Sequence, residues 1–262
     1  MTQLIVNPYR ISAPAGSYDS DAQNYINRVE VADGAALETV VKDAMNQLVV
    51  TLKTSSLWSP LVYALPGAGP RTLAGGLVPL QNTTESGFFG TVTWDRKTGF
   101  NCGADITAVT YPTTLTESNV GTQNDFSMSA WVTQASSAAA FYFGANNDEF
   151  RRANTANATF RSRSGTANSI GNGSDVTGFR GVSRSSSASY SRRINGSTAS
   201  ITQTSTAPGT AAFRYFRSSA GRTPVQSSVS TKIAWSHIGS ALALDTLEAA
   251  VTAYRNTINA AI

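Results

Sequence analysis

Residues 126–133 read Phe126-Ser127-Met128-Ser129-Ala130-Trp131-Val132-Thr133. Phe126, Met128, Ala130 and Val132 share one phase of a two-residue repeat, as a half-buried β-strand requires, because successive side chains point to opposite faces. On either side the pattern continues in short segments at 139–145, 157–163, 176–184, 187–194, 198–204, 211–217 and 229–238, punctuated by Gly, Pro and Asn. Their spacing, roughly 8–12 residues from turn to turn, predicts antiparallel strands in a sandwich. Asn195-Gly196 predicts a type I′ hairpin, since both central residues of that turn need positive φ. The Ser-rich stretch 183–191 also alternates and reads as strand and turn.

The pattern changes at both ends. Residues 1–17 read as an extended arm, with Pro8 and Pro14 opposing regular structure and Gly16-Ser17 adding a turn. Two helices follow within 18–60. Asp19 or Ser20 can cap the first, in which Ala22, Tyr25, Ile26 and Val29 recur at helical spacing before Asp33-Gly34. The second carries an apolar stripe of Leu37, Val40, Val41, Ala44, Leu48 and Leu52, which we read as core packing. From 61 to 262 the chain reads as a sandwich closing in a helix. Asp245 and Glu248 are spaced as a capping box, and Leu247, Ala250, Val251, Tyr254 and Ile258 make one apolar face.

Composition agrees with a mainly β fold. Of the 262 residues, 41% are hydrophobic, enough for a core, while only 14% are charged. The small residues that fill the difference suit sheets joined by tight turns and not a helical bundle. One cysteine, Cys102, excludes an internal disulfide and a Cys-built zinc site, and one histidine, His237, excludes multi-His metal sites. No apolar stretch approaches the ~20 residues needed to span a bilayer. The opening MTQLIVNPYR lacks a basic segment leading into an apolar one, so we expect no secretion signal.

Charge is unevenly distributed. Residues 1–149 carry 7 basic and 13 acidic residues, a net of −6, whereas residues 150–232 carry 12 basic and 1 acidic, a net of +11. Eleven of those 12 are Arg, whose fork suits fixed pairing. They alternate within strand-like segments, as in Phe213-Arg214-Tyr215-Phe216-Arg217, and no RNP-like, zinc-finger or helix-turn-helix pattern accompanies them. We therefore expect an electropositive face over 151–222 that meets a glycan or an acidic protein rather than nucleic acid; the plainer reading is a solvated sheet face. The expected contact residues are Arg180, Arg184, Tyr190, Arg192, Arg193, Arg214, Tyr215 and Arg217. Tyr142 and Trp235 are further aromatics that could stack on sugar rings, although core packing is the commoner role of such residues.

The constellations of catalysis are missing from the sequence, and we expect no enzyme. No Glu-x-Asp-x-x-Glu strand motif of the β-sandwich glucanases occurs, and Asp148-Glu149 are adjacent, reading as a turn after Asn146-Asn147. A Ser-His-Asp triad would have to use His237, and no Gly-x-Ser-x-Gly elbow exists. His237 reads better as a hydrogen-bonded residue near the core edge, and Cys102 as a buried, inert thiol. Gly67-Ala68-Gly69-Pro70-Arg71 lacks the Gly-Lys-Ser/Thr ending of a phosphate loop and reads as turns. No cofactor is expected; calcium stays open at Asn124-Asp125 and Asn146-Asn147-Asp148, where oxygen ligands cluster in ordinary turn residues.

Five segments carry a resemblance: Ile26 to Glu38 (INRVEVADGAALE), Arg71 to Leu80 (RTLAGGLVPL), Asp95-Arg96-Lys97-Thr98-Gly99, Gly178 to Tyr190 (GFRGVSRSSSASY), and Ile238-Gly239-Ser240-Ala241-Leu242. Together they resemble a group of tailed-bacteriophage virion proteins that carry a concanavalin A-like, laminin-G-like jelly roll, over the chain from about residue 18 onward. The resemblance implies an antiparallel jelly-roll sandwich with a helical lead-in and a C-terminal helix. It also implies a virion structural protein, either a capsid decoration or a tail or fibre component, assembled in the host cytoplasm and partnered by other virion proteins. We expect a homo-oligomer or many-copy array, with host-surface polysaccharide as a further partner and no membrane insertion. A dedicated glycan-binding adhesin of the tail is the alternative, and a glycoside hydrolase or depolymerase the less favoured one.

Overall fold

The computed structural model describes residues 17–81, 87–88, 92–101, 109–110, 115–135, 140–152, 158–170, 177–216 and 231–262. The expected arm (bar Ser17), Cys102 and Arg217 lie outside the described residues. The helices are α1 (Ser20–Asp33), α2 (Thr39–Thr54), the short α3 (Leu73–Gly76) and α4 (Leu244–Ala261). The strands run β1 (Leu61–Leu65), β2 (Gly87–Phe88), β3 (Thr93–Asp95), β4 (Gly99–Asn101) and β5 (Val109–Thr110). They continue as β6 (Phe126–Gln134), β7 (Ala140–Gly144), β8 (Glu149–Arg152), β9 (Ala158–Arg161) and β10 (Asn168–Ile170). The last are β11 (Gly178–Arg184), β12 (Ser189–Ile194), β13 (Ser197–Thr202), β14 (Arg214–Tyr215) and β15 (Lys232–Gly239).

These strands form two antiparallel sheets. The first runs β13-β12-β11-β6-β15-β4-β3, with β1 also paired to β15; the second runs β10-β9-β8-β7-β14-β5-β2. The alternation in β6 decides the packing. Phe126, Met128 and Ala130 enter a core shared with Phe143, Phe150, Phe160 and Phe213, between the sheets. Trp131 packs on a second core, built from α1, α2 and α4 with Phe179 and Trp235. The middle strands of the first sheet, β11, β6 and β15, are thus buried on both faces, by the second sheet and by a layer of helices.

Local chemistry fixes the element ends. Asp19 caps α1 by accepting from Asp21 N at 3.0 Å, and Gly34 ends it in the left-handed region at φ 65°. In α2 the buried stripe is Val41, Ala44, Met45, Leu48, Val49 and Leu52, whereas Val40 is largely exposed, a correction to the expected stripe. Asn195 and Gly196 take φ 43° and 84°, the pair of positive values a type I′ turn demands. The capping box expected at α4 does not form: Ala243 is the N-cap, and the Glu248 carboxylate instead accepts from Arg193 and Gly196 N. Glu149, read with Asp148 as a turn, instead opens β8 (Glu149–Arg152), a correction to that reading. No described helix is long and apolar enough to cross a membrane.

Candidate ligand-binding cleft

A cleft of about 400 Å3 opens where α4, the β3–β4 turn and the start of β11 meet. Lys97 and Thr98 come from the turn, Trp131, Val132 and Thr133 from β6, Thr177 and Gly178 from the entry to β11, and Arg255 and Asn259 from α4. The turn is held from within and from outside. Asp95 Oδ1 accepts from Lys97 N, Thr98 N and Thr98 Oγ1 at 3.0, 2.8 and 2.9 Å. Gly99 closes the turn at φ 82°, and a Cβ there would come within 2.1 Å of the Ile233 carbonyl oxygen, so only glycine fits. Arg96 ties the turn to α2 through Glu38 at 2.8 and 3.1 Å, and Thr133 Oγ1 donates to the Thr98 carbonyl at 2.5 Å. On the far side, Asn195 Nδ2 donates to the Thr177 carbonyl at 2.8 Å.

The electrostatics are one-sided. Among the described residues no carboxylate lines the cleft, while Lys97 and Arg255 do. Arg255 is only 5% exposed; its Nη1 donates to the Lys97 carbonyl and its Nε has no hydrogen-bond partner. Burial lowers the Arg255 guanidinium from its ordinary value, with Tyr254 and Asp95 acting the other way. A guanidinium starts high enough to remain charged. Burial raises Asp95, but hydrogen bonds from Thr98 and Lys97 and the charge of Lys232 hold it below the usual carboxylate value. The half-buried Trp131 supplies an indole beside these polar groups. The arrangement can stack on a ring, donate hydrogen bonds to hydroxyls and oppose a negative charge.

The residues singled out in the sequence lie elsewhere, and none of the seven described ones lines this cleft. The expectation of an electropositive face is corrected for four of its residues, Arg180, Arg184, Tyr190 and Tyr215. Arg180 and Arg184 stand opposite Ala130 and Phe126 in the β11–β6 register, which turns them into the core between the sheets. Arg180 lies over the Tyr142 ring, 5.1 Å from its centroid. Arg184 lies over Tyr190 and donates to the carbonyls of Ser162, Ser186, Ser189 and Gln203. Tyr190 is buried, and burial pushes its hydroxyl up to about 12. Tyr215 is buried too, hydrogen-bonded to Ser236 and stacked on Phe143 at 5.1 Å. These four are interior residues and offer no contact to a partner. Arg192, half-buried, donates to Asn168 Oδ1 at 2.6 Å, Arg193 pairs with Glu248, and Arg214 is half-buried on β14. Tyr142 and Trp235 are interior as well.

The ionisable groups near the sandwich edge are locked. Asp148 accepts from Arg163 N and Nη1 at 2.6 and 2.8 Å, all within the interior. Burial pushes the Asp148 carboxyl up to about 7; Arg163 pulls against this and Glu117 adds to it. Glu117 itself accepts from Asn147 and from Gly209 N. With Asp148 given to Arg163, and Asn124 and Asp125 accepting from Ser205 Oγ and Ala241 N, the oxygens weighed for calcium serve the protein itself. Among the described residues no three His, Cys, Asp or Glu side chains group as metal ligands. His237 is fully buried rather than at the core edge, with Nδ1 2.5 Å from Ser129 Oγ and Nε2 3.0 Å from Ser127 Oγ. Burial takes its imidazole down to about 3. Its side-chain partners are two hydroxyls and no carboxylate.

Sequence reasoning passed over Trp131, Lys97, Arg255 and Asn259. One signal was available: Trp131 is the large aromatic on the phase of β6 otherwise held by Ser127, Ser129 and Thr133. No signal links Arg255 to Lys97, 158 residues apart, since only the docking of α4 joins them.

No protein-family model matches the chain, and no curated protein matches it. Among solved structures, the chain is similar to the botulinum neurotoxin serotype D binding domain, with TM-score 0.51 and 10% identity, over 74% of this chain and 51% of that one. It is similar also to the botulinum neurotoxin serotype D ligand binding domain in complex with N-acetylneuraminic acid (TM-score 0.52, 11% identity, 77% and 52% covered). A third is a mutant of Trypanosoma rangeli sialidase displaying trans-sialidase activity (TM-score 0.52, 10% identity, 82% and 39% covered). The chain spans about half or less of the length of these proteins. At such identities the likeness establishes the β-sandwich fold alone.

Proposed function

We propose that the chain is a non-enzymatic carbohydrate-binding sandwich that serves as a surface component of a bacteriophage particle, with the cleft beside α4 as its glycan site. The observation that carries the reading is the Trp131 indole set in an open cleft among Lys97, Arg255, Asn259 and three threonines. Sugars are bound in this way elsewhere: a flat apolar ring face meets an aromatic, and hydroxyls meet fixed donors and acceptors. The described residues of this wall offer an aromatic face and hydrogen-bond donors, the groups that binding needs, whereas hydrolysis needs a placed acid and base. The sialic-acid complex of one structural neighbour is consistent with the use of such a sandwich for sugars. The phage setting rests on the five resembling segments of sequence. A particle would display many copies, so that weak single contacts add up.

A glycan array of bacterial-surface and animal saccharides, probed at low salt with wild type and Asn259→Trp, tests the site. Asn259 is exposed at the rim, so the indole should block the cleft while sparing the fold. Binding by wild type and its loss in the variant are expected. An array left blank by wild type, or equally bright for both, contradicts the reading.

A further inference from the structure

We propose that the cleft selects an acidic sugar, with the sugar carboxylate bound between Arg255 and Lys97; this rests on the glycan reading above. Arg255 is the reason. Its side chain is almost wholly buried, yet Nε is without an acceptor and Nη1 serves only to hold the Lys97 carbonyl. A buried charged donor left unmatched is costly, and the deficit is made good when an acceptor arrives and a small turn of the side chain brings Nε to the cleft. The acceptor that matches a guanidinium fork best is a planar carboxylate, which accepts two parallel N–H bonds.

The surroundings favour the same occupant. Lys97 stands exposed on the same wall, its backbone fixed by Arg255 and by Asp95. Asp95, the acid of that turn, accepts three bonds from its own turn, and Lys232 helps to hold its charge. Of the two acids of α4, Asp245 lies in its first turn and Glu248 is taken by Arg193. A neutral sugar would leave the Lys97 ammonium without an ion-pair partner among the described residues, and Arg255 with only the partial support of Asp95. Trp131 gives the ring an apolar seat beside them.

The test is a calorimetric titration of full-length protein with two matched pairs: 3′-sialyllactose against lactose, and a glucuronate-containing hyaluronan tetrasaccharide against cellotetraose. At least one acidic member should bind about tenfold or more tighter than its neutral counterpart, and its affinity should fall as salt rises. Lys97→Ala, at an exposed position, should erase most of that preference and leave the melting temperature unchanged. Arg255→Gln should abolish it. Neutral members binding as tightly as acidic ones would overturn the carboxylate assignment and leave the glycan site standing. Acidic preference untouched in Lys97→Ala and Arg255→Gln would place the anion elsewhere and overturn the assignment. Should none of the four bind while wild type lights up other glycans on the array, the acidic-sugar proposal alone falls; a blank array as well removes both.

Discussion

His237 and Asp148 hold their protonation states on opposite terms. His237 is neutral in the fold, held near 3 by burial, against about 6.5 in an unfolded chain. As pH falls through that window only the unfolded chain takes up the proton, so this group's contribution to stability drops by about 1.4 kcal/mol per pH unit. Asp148 titrates near 7 in the fold, above its ordinary 3.8, so its contribution is present at acid pH and declines as pH rises between those values. Relative to wild type, His237→Gln should resist acid better between about pH 6 and 4. Asp148→Asn should lack a decline between about pH 4 and 7. Urea midpoints measured across pH check both, and curves parallel to wild type would contradict both assignments. Arg163 is the matching cation, fully buried and 4.2 Å from the Phe126 ring centroid. Arg163→Met alone should cost about 3–5 kcal/mol at alkaline pH, where it strands a buried carboxylate, and less at acid pH, where Asp148 is neutral; adding Asp148→Asn should recover much of the alkaline loss. A double variant as unstable as the sum of the singles would mean the two side chains do not act as a pair.

Turns and joints decide more than strand interiors at the level of elements. Gly99 and Gly196 both take positive φ, but only Gly99 faces backbone, 2.1 Å from the Ile233 oxygen for an added Cβ; around Gly196 there is open space. Gly196→Ala should cost about 1 kcal/mol with sugar binding intact. Gly99→Ala should shift the turn that carries Lys97 and weaken binding several-fold, as a side-by-side denaturation and glycan titration would reveal. If binding survives in Gly99→Ala, the turn is not what sets the cleft wall. The segments that carried the sequence resemblance also meet in space. Asp33 accepts from Arg71 N, Thr72 N and Thr72 Oγ1, Glu38 pairs with Arg71 and Arg96, and Arg28 donates to the Pro79 and Leu80 carbonyls. They join the helical layer to the loop over α3 and to the β3–β4 turn. β6 was legible because Phe126, Met128, Ala130 and Val132 alternate with polar or differently facing residues over its length. β8 was not, since four residues after an Asn-Asn-Asp run carry too little pattern to outweigh the turn signal.

The whole molecule explains why the arginines were misplaced and the cleft missed. Alternation tells which residues share a face, but not which face meets water. Here both faces of β11, in the middle of the first sheet, are covered, so Arg180 and Arg184, expected outside, form the polar lining of the space between the sheets, over Tyr142 and Tyr190. Arg161, Arg163, Arg180 and Arg184 of the positive block are thus consumed inside the fold, and the positive groups of the cleft come from Lys97 and from Arg255 on the C-terminal helix. A site assembled from a turn, one strand and a helix more than 100 residues away exists only once the helix docks; Leu247 and Val251 in the buried core show what docks it. Leu247→Ala should lower stability by about 2–5 kcal/mol. It should also loosen sugar binding in proportion to the helix's displacement, read from the two titrations together; unchanged binding in a destabilised variant would mean that helix docking does not shape the site.

The most direct test of the glycan site follows the indole N–H resonances of Trp58, Trp94, Trp131 and Trp235 as an array-positive saccharide is added, with the Trp131 signal assigned from Trp131→Phe. Trp94 and Trp235 donate within the fold, to the Gly67 carbonyl and Ser129 Oγ, and should stay in place. The Trp131 resonance should shift and saturate with the calorimetric binding curve; a saccharide that saturates the protein and leaves Trp131 unmoved would contradict the account.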